Sequence, residues 1–444
     1  MQRIGPARTG LVFLLSCLPL GLPAGGAEPD AAPSAGLLRK LLRDELTQRW
    51  YPQMIDREHG GFHQNHARDW SRRTDESKFQ VFQARMTWTA SAYAEFDRER
   101  REEFLGYARH GLAFLDGPMR DREHGGFHWI LGPDGKLDPR LGDEKHAYGT
   151  SFVIYAASKL RHVGGDDLAL KVARDAFDWL DSHAHDAARG GYWEALRRDG
   201  TPITSWSPSD PLHRRSDRLG VYYGYKTMNS HIHLLEAVSE LSRVDPRPVV
   251  KERLRELFEI VRDKIAIEPG ALNLYLTPDW RAVPAHDSFG HDIETAYLLL
   301  EAADALGIPD DPRAKQVARS LVDHALDWVW DDEHGGFYDK GDSFAGQAYD
   351  TTKVWWTQAE GLNALVVIDR RFGRETDRYL QAFRKQWDFI EKHMIDPQYG
   401  GWFGETARDG ALRGDGAKAT PWKVNYHHSR AMMNVARMLE GGHE

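Results

Sequence analysis

The chain has one cysteine among its 444 residues. That excludes a fold stapled by internal disulfides and any metal centre built on several thiolates. Positive charge is scarce too: 58 Lys and Arg stand against 67 Asp and Glu, a formal net charge of -9 with the two signs interspersed. This balance argues against nucleic acid as a partner. The one conspicuous apolar run, residues 11–22, is too short to span a bilayer as a helix. From residue 37 to residue 440 there is no linker and no low-complexity stretch, so this length reads as one domain.

Residues 1–27 read as a cleavable export signal, followed by a flexible segment over 28–36. Arg3 and Arg8 precede the apolar run, and the small residues 23–27 follow it. The expected location is periplasmic or secreted. The lone cysteine, Cys17, lies inside this leader, where a lipid anchor is the alternative to simple cleavage.

Within the domain a pattern recurs. Asp56-Arg-Glu-His-Gly-Gly-Phe62 returns at Asp121–Phe127, Asp186–Tyr192, Asp331–Phe337 and Asp396–Trp402. The first three copies lie 65 residues apart, as do the last two, and the gap of 145 holds a degenerate copy near residues 270–280. Six units of about 65 residues point to one supersecondary element used six times. In each unit an amphipathic segment precedes the Gly-Gly turn and a more apolar one follows it. The apolar segments, 78–96, 145–163, 226–244, 287–306, 351–371 and 423–439, predict six buried helices ringed by six amphipathic ones. The fold class is therefore all-α, an (α/α)6 barrel. The histidines of the turns sit one per distant loop and are read as structural.

The unusual residues of the apolar helices keep the period of the repeat. Arg85, Tyr148, Asn229, His291, Trp356 and His427 follow one another at steps of 63, 81, 62, 65 and 71, which places them at one level of the barrel. His233, Glu294 and Glu360 lie one helical turn from three of them. The result is a pocket with an Arg, an Asn, imidazoles, carboxylates and Trp walls, to which Trp422 adds a ring able to stack on a sugar. A glycosidase needs two carboxylic acids astride the scissile bond, whereas histidine dominates here. Imidazole suits proton transfer at carbon near neutral pH. Removing the proton α to the aldehyde of an opened aldose gives a cis-enediolate, whose oxygens Arg85, Asn229 and His233 can hold. His291 and His427, on opposite walls, can take a proton from one face and return one to the other, and Glu294 can orient or charge His291. Arg85 has a plainer reading as a buried partner of Glu360.

Residues 226–237, 288–294, 354–360 and 422–430 together resemble the N-acylglucosamine 2-epimerase superfamily, above all its cellobiose 2-epimerase branch. Its Gly290-His-Asp-Ile-Glu294 form is similar to the disaccharide epimerases. The resemblance implies an (α/α)6 barrel and C2 epimerisation at the reducing end of a β-1,4-linked disaccharide, with no metal and no other cofactor. It implies His291 and His427 as the acid/base pair, supported by Glu294. Arg85, Asn229, His233, Trp356 and Trp422 are implied as sugar-binding residues, to which the repeat adds Tyr148 and Glu360. The family is typically cytoplasmic, and the leader departs from that. The expected partner is a small sugar, with no nucleic acid and no membrane span, and the chain is expected to be a monomer or homodimer. An aldose–ketose isomerase or a monosaccharide 2-epimerase is the nearest alternative. A glycoside hydrolase or a non-catalytic sugar-binding protein on the same barrel belongs to another class.

Overall fold

A computed structural model describes residues 32–209 and 215–441; the leader, with Cys17 and the cleavage region, lies outside them. Ser34 caps the first helix, its Oγ accepting the Leu37 N–H at 3.1 Å. That helix, α1 (Ala35–Glu45), and five others form the outer ring: α3 (Arg101–Asp116), α5 (Asp167–Ala184), α7 (Pro248–Ile260), α9 (Pro312–Trp328) and α11 (Arg378–Phe389). The inner ring is α2 (Gln80–Phe96), α4 (Ala147–Gly164), α6 (Met228–Ser242), α8 (Phe289–Leu306), α10 (Trp355–Phe372) and α12 (Tyr426–Glu440). Each inner helix packs on the next, and α12 returns to α2, which closes the (α/α)6 barrel. Outer helices bury one stripe; of the 17 residues of α2 all but Glu95 are buried. The main core runs without a break from Leu38 to Ala436. The first two residues of four of the expected inner segments instead form short strands, such as Lys78–Phe79 paired with Ile130–Leu131 of the following unit. No described helix is long and apolar enough to cross a membrane.

The recurring Asp and Gly-Gly of each turn have a common mechanism. Asp56 Oδ1 accepts the N–H groups of Glu58 and His59, and Gly60 and Gly61 take φ of 79° and 67°, a region open chiefly to glycine. Asp56 Oδ2 accepts from Lys78 Nζ at 2.7 Å, so the turn is stapled to the start of the inner helix. The staple repeats as Asp121–Lys145, Asp186–Lys226, Asp331–Lys353 and Asp396–Lys418, at 2.9–3.0 Å. Five residues beyond its lysine, Gln83 accepts the N–H of Phe62, and Gln358 does the same for Phe337. His231 fills that place in the third unit: its Nδ1–H donates to the Thr227 carbonyl and its Nε2 accepts the Tyr192 N–H. The fourth unit breaks the rule, with Asp287 where the others carry lysine.

This construction has a consequence for acid stability. Burial pushes His231 down from 6.5 to about 4, and does the same to His66. Below pH ~6.5 the unfolded chain takes up protons that the fold refuses until about pH 4, so stability falls as the pH falls through that window. Each such histidine withdraws about 3 kcal/mol across it. His231→Gln, which restores the residue of the first and fifth units, is expected to flatten the decline. Unfolding midpoints between pH 7 and pH 4.5 check this; a variant as acid-sensitive as the parent would count against it.

Candidate active site

All ten sequence-derived site residues lie at one end of the barrel. Nine of them, Arg85, Tyr148, Asn229, His233, His291, Glu294, Trp356, Trp422 and His427, line one cavity of about 200 Å³. Glu360 stands behind its wall. Trp355 also lines the cavity. Their common level follows the repeat: in five of the six units a staple fixes where the inner helix begins and hence which side chain its first turns present.

The two central imidazoles are held differently. His427 Nδ1 lies 2.5 Å from Glu360 Oε1, so Nδ1–H donates and Nε2 is the basic nitrogen. His291 Nδ1 lies 2.6 Å from Ser288 Oγ, which in turn reaches Asp339 Oδ1 at 3.4 Å. Ser288 donating onward leaves it free to accept from His291 Nδ1–H, again exposing Nε2. Glu294, expected beside His291, is bound elsewhere: its Oε1 accepts from Arg430 at 2.5 Å and lies 4.0 Å from His427 Nδ1. The sequence argument paired these two residues with each other; in the barrel His291 is held by Ser288 at the start of its own helix and Glu294 by Arg430 of α12. Trp356 touches both imidazoles, its ring centroid 4.7 Å from that of His291 and 5.7 Å from that of His427.

Arg430, one helical turn past His427, escaped the sequence reading. Its Nη1 donates to Glu236 and Tyr426, and its Nη2 to Glu294 and Glu360 at 2.5 and 2.8 Å. Glu236 in turn accepts from His233 Nδ1 at 3.1 Å. One buried guanidinium therefore clamps three carboxylates, two of which orient histidines of the cavity. Despite its burial, Glu236 is kept well below the usual carboxylate range by Arg430 and then by His233.

Burial pushes both central histidines well below their ordinary pKa, His291 further through the charges of His233 and His427, His427 further through Arg85. The Glu294 carboxylate works the other way on His427. Arg85 makes no ion pair among the described residues, which removes its plainer reading as a partner of Glu360. It donates to Tyr148 Oη at 3.3 Å and lies over the Phe152 and Tyr426 rings. Its Nε, with Asn229 Oδ1 and Glu294 Oε2, is buried without a partner in the protein. Such groups are costly unless a ligand satisfies them. Trp422 stands on the rim, 45% exposed, its edge against Phe79.

Ligand atoms of Glu294, Glu360 and His427 lie close enough together for a metal ion, as do those of His233, His291 and Glu294. The carboxylates of the first set are already engaged by Arg430. A second cavity of about 350 Å³ adjoins the first, sharing Asn229, His291 and Trp356 with it. Leu219 and Val221, from the long third-unit loop, wall this second cavity. That loop is anchored by Asp217, 2.8 Å from His146 Nε2, whose Nδ1 lies 3.1 Å from Glu194.

Comparison with known proteins agrees with this geometry. The family model of N-acylglucosamine 2-epimerase (GlcNAc 2-epimerase) matches residues 60–431. The chain belongs to this family. It is 31% identical to a cellobiose 2-epimerase of Bacteroides fragilis over 90% of this chain and 98% of the relative. A cellobiose 2-epimerase of Ruminococcus albus is 29% identical over 89% of this chain and 97% of its own. The solved structure of cellobiose 2-epimerase from Spirochaeta thermophila superposes with a TM-score of 0.78 at 30% identity, covering 92% of this chain and 98% of that one. The family member described here is accordingly a carbohydrate epimerase or isomerase.

Proposed function

We propose that this enzyme interconverts glucose and mannose at the reducing end of a β-1,4-linked disaccharide. The observation that carries the reading is the pair of imidazoles, His291 and His427, both lining one cavity beside Trp356 with their Nδ1 atoms engaged and their Nε2 atoms free. The opened aldose loses its C2 proton to one neutral imidazole. The enediolate oxygens take hydrogen bonds from Arg85 and from the side-chain amide N–H of Asn229, beside His233. The other imidazole, charged at the start of the step, returns a proton to the opposite face. The adjoining cavity of about 350 Å³ has room for a second sugar ring, which favours a disaccharide over a monosaccharide.

The test is incubation of purified protein with cellobiose, mannobiose, glucose and mannose in separate vessels, identifying every product. Cellobiose should give its mannose-terminated epimer with the glycosidic bond intact. Release of monosaccharides would instead mark a hydrolase, and a ketose as the main product an isomerase. The leader supports export: the mature chain is expected to start near Glu28, outside the cytoplasm. N-terminal sequencing of the exported protein checks this, and a start at Cys17 or at Met1 would reject it.

A further inference from the structure

The fourth unit departs from its neighbours at one place, behind the first turn of α8. In five units the turn aspartate meets a lysine ammonium. In the fourth, the degenerate turn 266–271 has lost the aspartate, and Asp287 occupies the lysine position. Five residues on, where the first and fifth units place a neutral glutamine, stands a second acid, Asp292. Two carboxyl groups thus occupy the place of an ammonium and an amide.

Their surroundings supply no cation. Asp287 is 1% exposed and Asp292 0%. Asp287 Oδ2 accepts from Ser343 Oγ at 2.8 Å; Asp287 Oδ1 and both oxygens of Asp292 have no other side-chain donor, and the two carboxyl groups stand within hydrogen-bond reach of each other. Asp292 faces the Leu272 N–H without closing a bond to it. The third member is His324 of α9, 3% exposed. Its Nε2–H donates to the Ser343 carbonyl at 3.0 Å, which leaves Nδ1 as a lone pair, and Nδ1 too is without a partner. One atom each of Asp287, Asp292 and His324 lies within 4.8 Å of the other two. With both acids ionised, every unpartnered atom of this buried cluster is an acceptor.

We propose that Asp287, Asp292 and His324 bind a divalent first-row metal ion, which replaces the lysine ammonium of the other units. Two carboxylate oxygens and one imidazole nitrogen form a donor set suited to Zn²⁺ or Mn²⁺. The Ser343 carbonyl on His324 and the Ser343 hydroxyl on Asp287 are the outer contacts that orient such ligands. Burial, and for Asp292 the neighbouring Asp287 charge, pushes both carboxyls above their ordinary range, the electrostatic cost that a bound cation relieves. The role is structural. The ion would join α9 to the start of α8, one residue from His291, and stay outside the sugar cavity.

The experiment uses the untagged full-length mature protein, stripped with chelator and dialysed against ZnCl₂ or MnCl₂. Metal content is read by mass spectrometry and the unfolding midpoint by scanning calorimetry. About one equivalent of Zn²⁺ or Mn²⁺ should be retained, raising Tm by several degrees over the stripped protein. Asp292→Asn and His324→Gln should lose both the metal and the rise. Asp287→Lys restores the residue of the other units; it should bind no metal yet unfold above the stripped parent. Retention below a tenth of an equivalent with no change in Tm overturns the proposal and leaves a proton shared between the two acids. Binding that survives Asp292→Asn and Asp287→Lys overturns it equally, by placing the ion elsewhere.

Discussion

His291→Asn and His427→Asn should each lower kcat for epimerisation by three powers of ten or more, with a folded protein and a KM within a few-fold of the parent. General acid–base groups contribute about 10²–10⁴ each, and inversion needs both. The reason lies in the geometry of a planar enediolate, which a single imidazole can serve from one face only. A lone histidine can remove and return the same proton, so each variant should still exchange C2 hydrogen with solvent in heavy water. The exchange should be confined to one of the two epimers, and to opposite epimers in the two variants. The parent should place deuterium at C2 of the product whichever sugar is supplied. Mass spectrometry of the sugars decides the matter. A variant that epimerises at near-parental rate, or a parental product without deuterium, would refute the two-histidine scheme.

Arg430→Gln is expected to cost about 3–5 kcal/mol of stability, the range for breaking a buried ion pair by removing one partner. Arg430 is 3% exposed, and it holds Glu236, Glu294 and Glu360 together in the interior. Without it these acids must take up protons. Glu360 is then less able to accept from His427 Nδ1–H, and Glu236 from that of His233. Activity should therefore fall even where the variant is folded, with a shifted pH profile as the signature of lost charge at the histidines. Arg430→Lys keeps the charge but cannot reach three carboxylates from one head, and should fall between the two. Unfolding by denaturant and the pH dependence of kcat/KM measure both effects. An Arg430→Gln protein as stable as its parent would show that the clamp is not needed.

The barrel was legible because six copies of one turn fix the period, and the pocket because its residues keep that period. Residues 85, 148, 229, 291, 356 and 427 needed no contact information to be set at one level. What escaped were bonds between walls. Glu294 was assigned to His291 by helical spacing, yet Ser288 and Asp339 hold His291, and Glu360 holds His427 from the next helix. Arg430 pairs with an acid 194 residues earlier in the chain, a separation that no local pattern encodes. The staples left a signal that was not used: three of the turn aspartates are followed by their lysine at a spacing of 22. The departure of Asp287 from that rule becomes visible only once the rule is known.

The same staples bear on how such a pocket can change over time. Five of the six inner helices are pinned by their own turns, and each inner helix contributes only one or two side chains to the cavity. A substitution in one unit therefore alters one wall and leaves the level of the other five alone. Lengthening the third-unit loop remodels the adjoining cavity without moving His427. Sugar preference and acid–base chemistry can in this way drift on separate units, so one barrel can change its substrate while keeping its reaction.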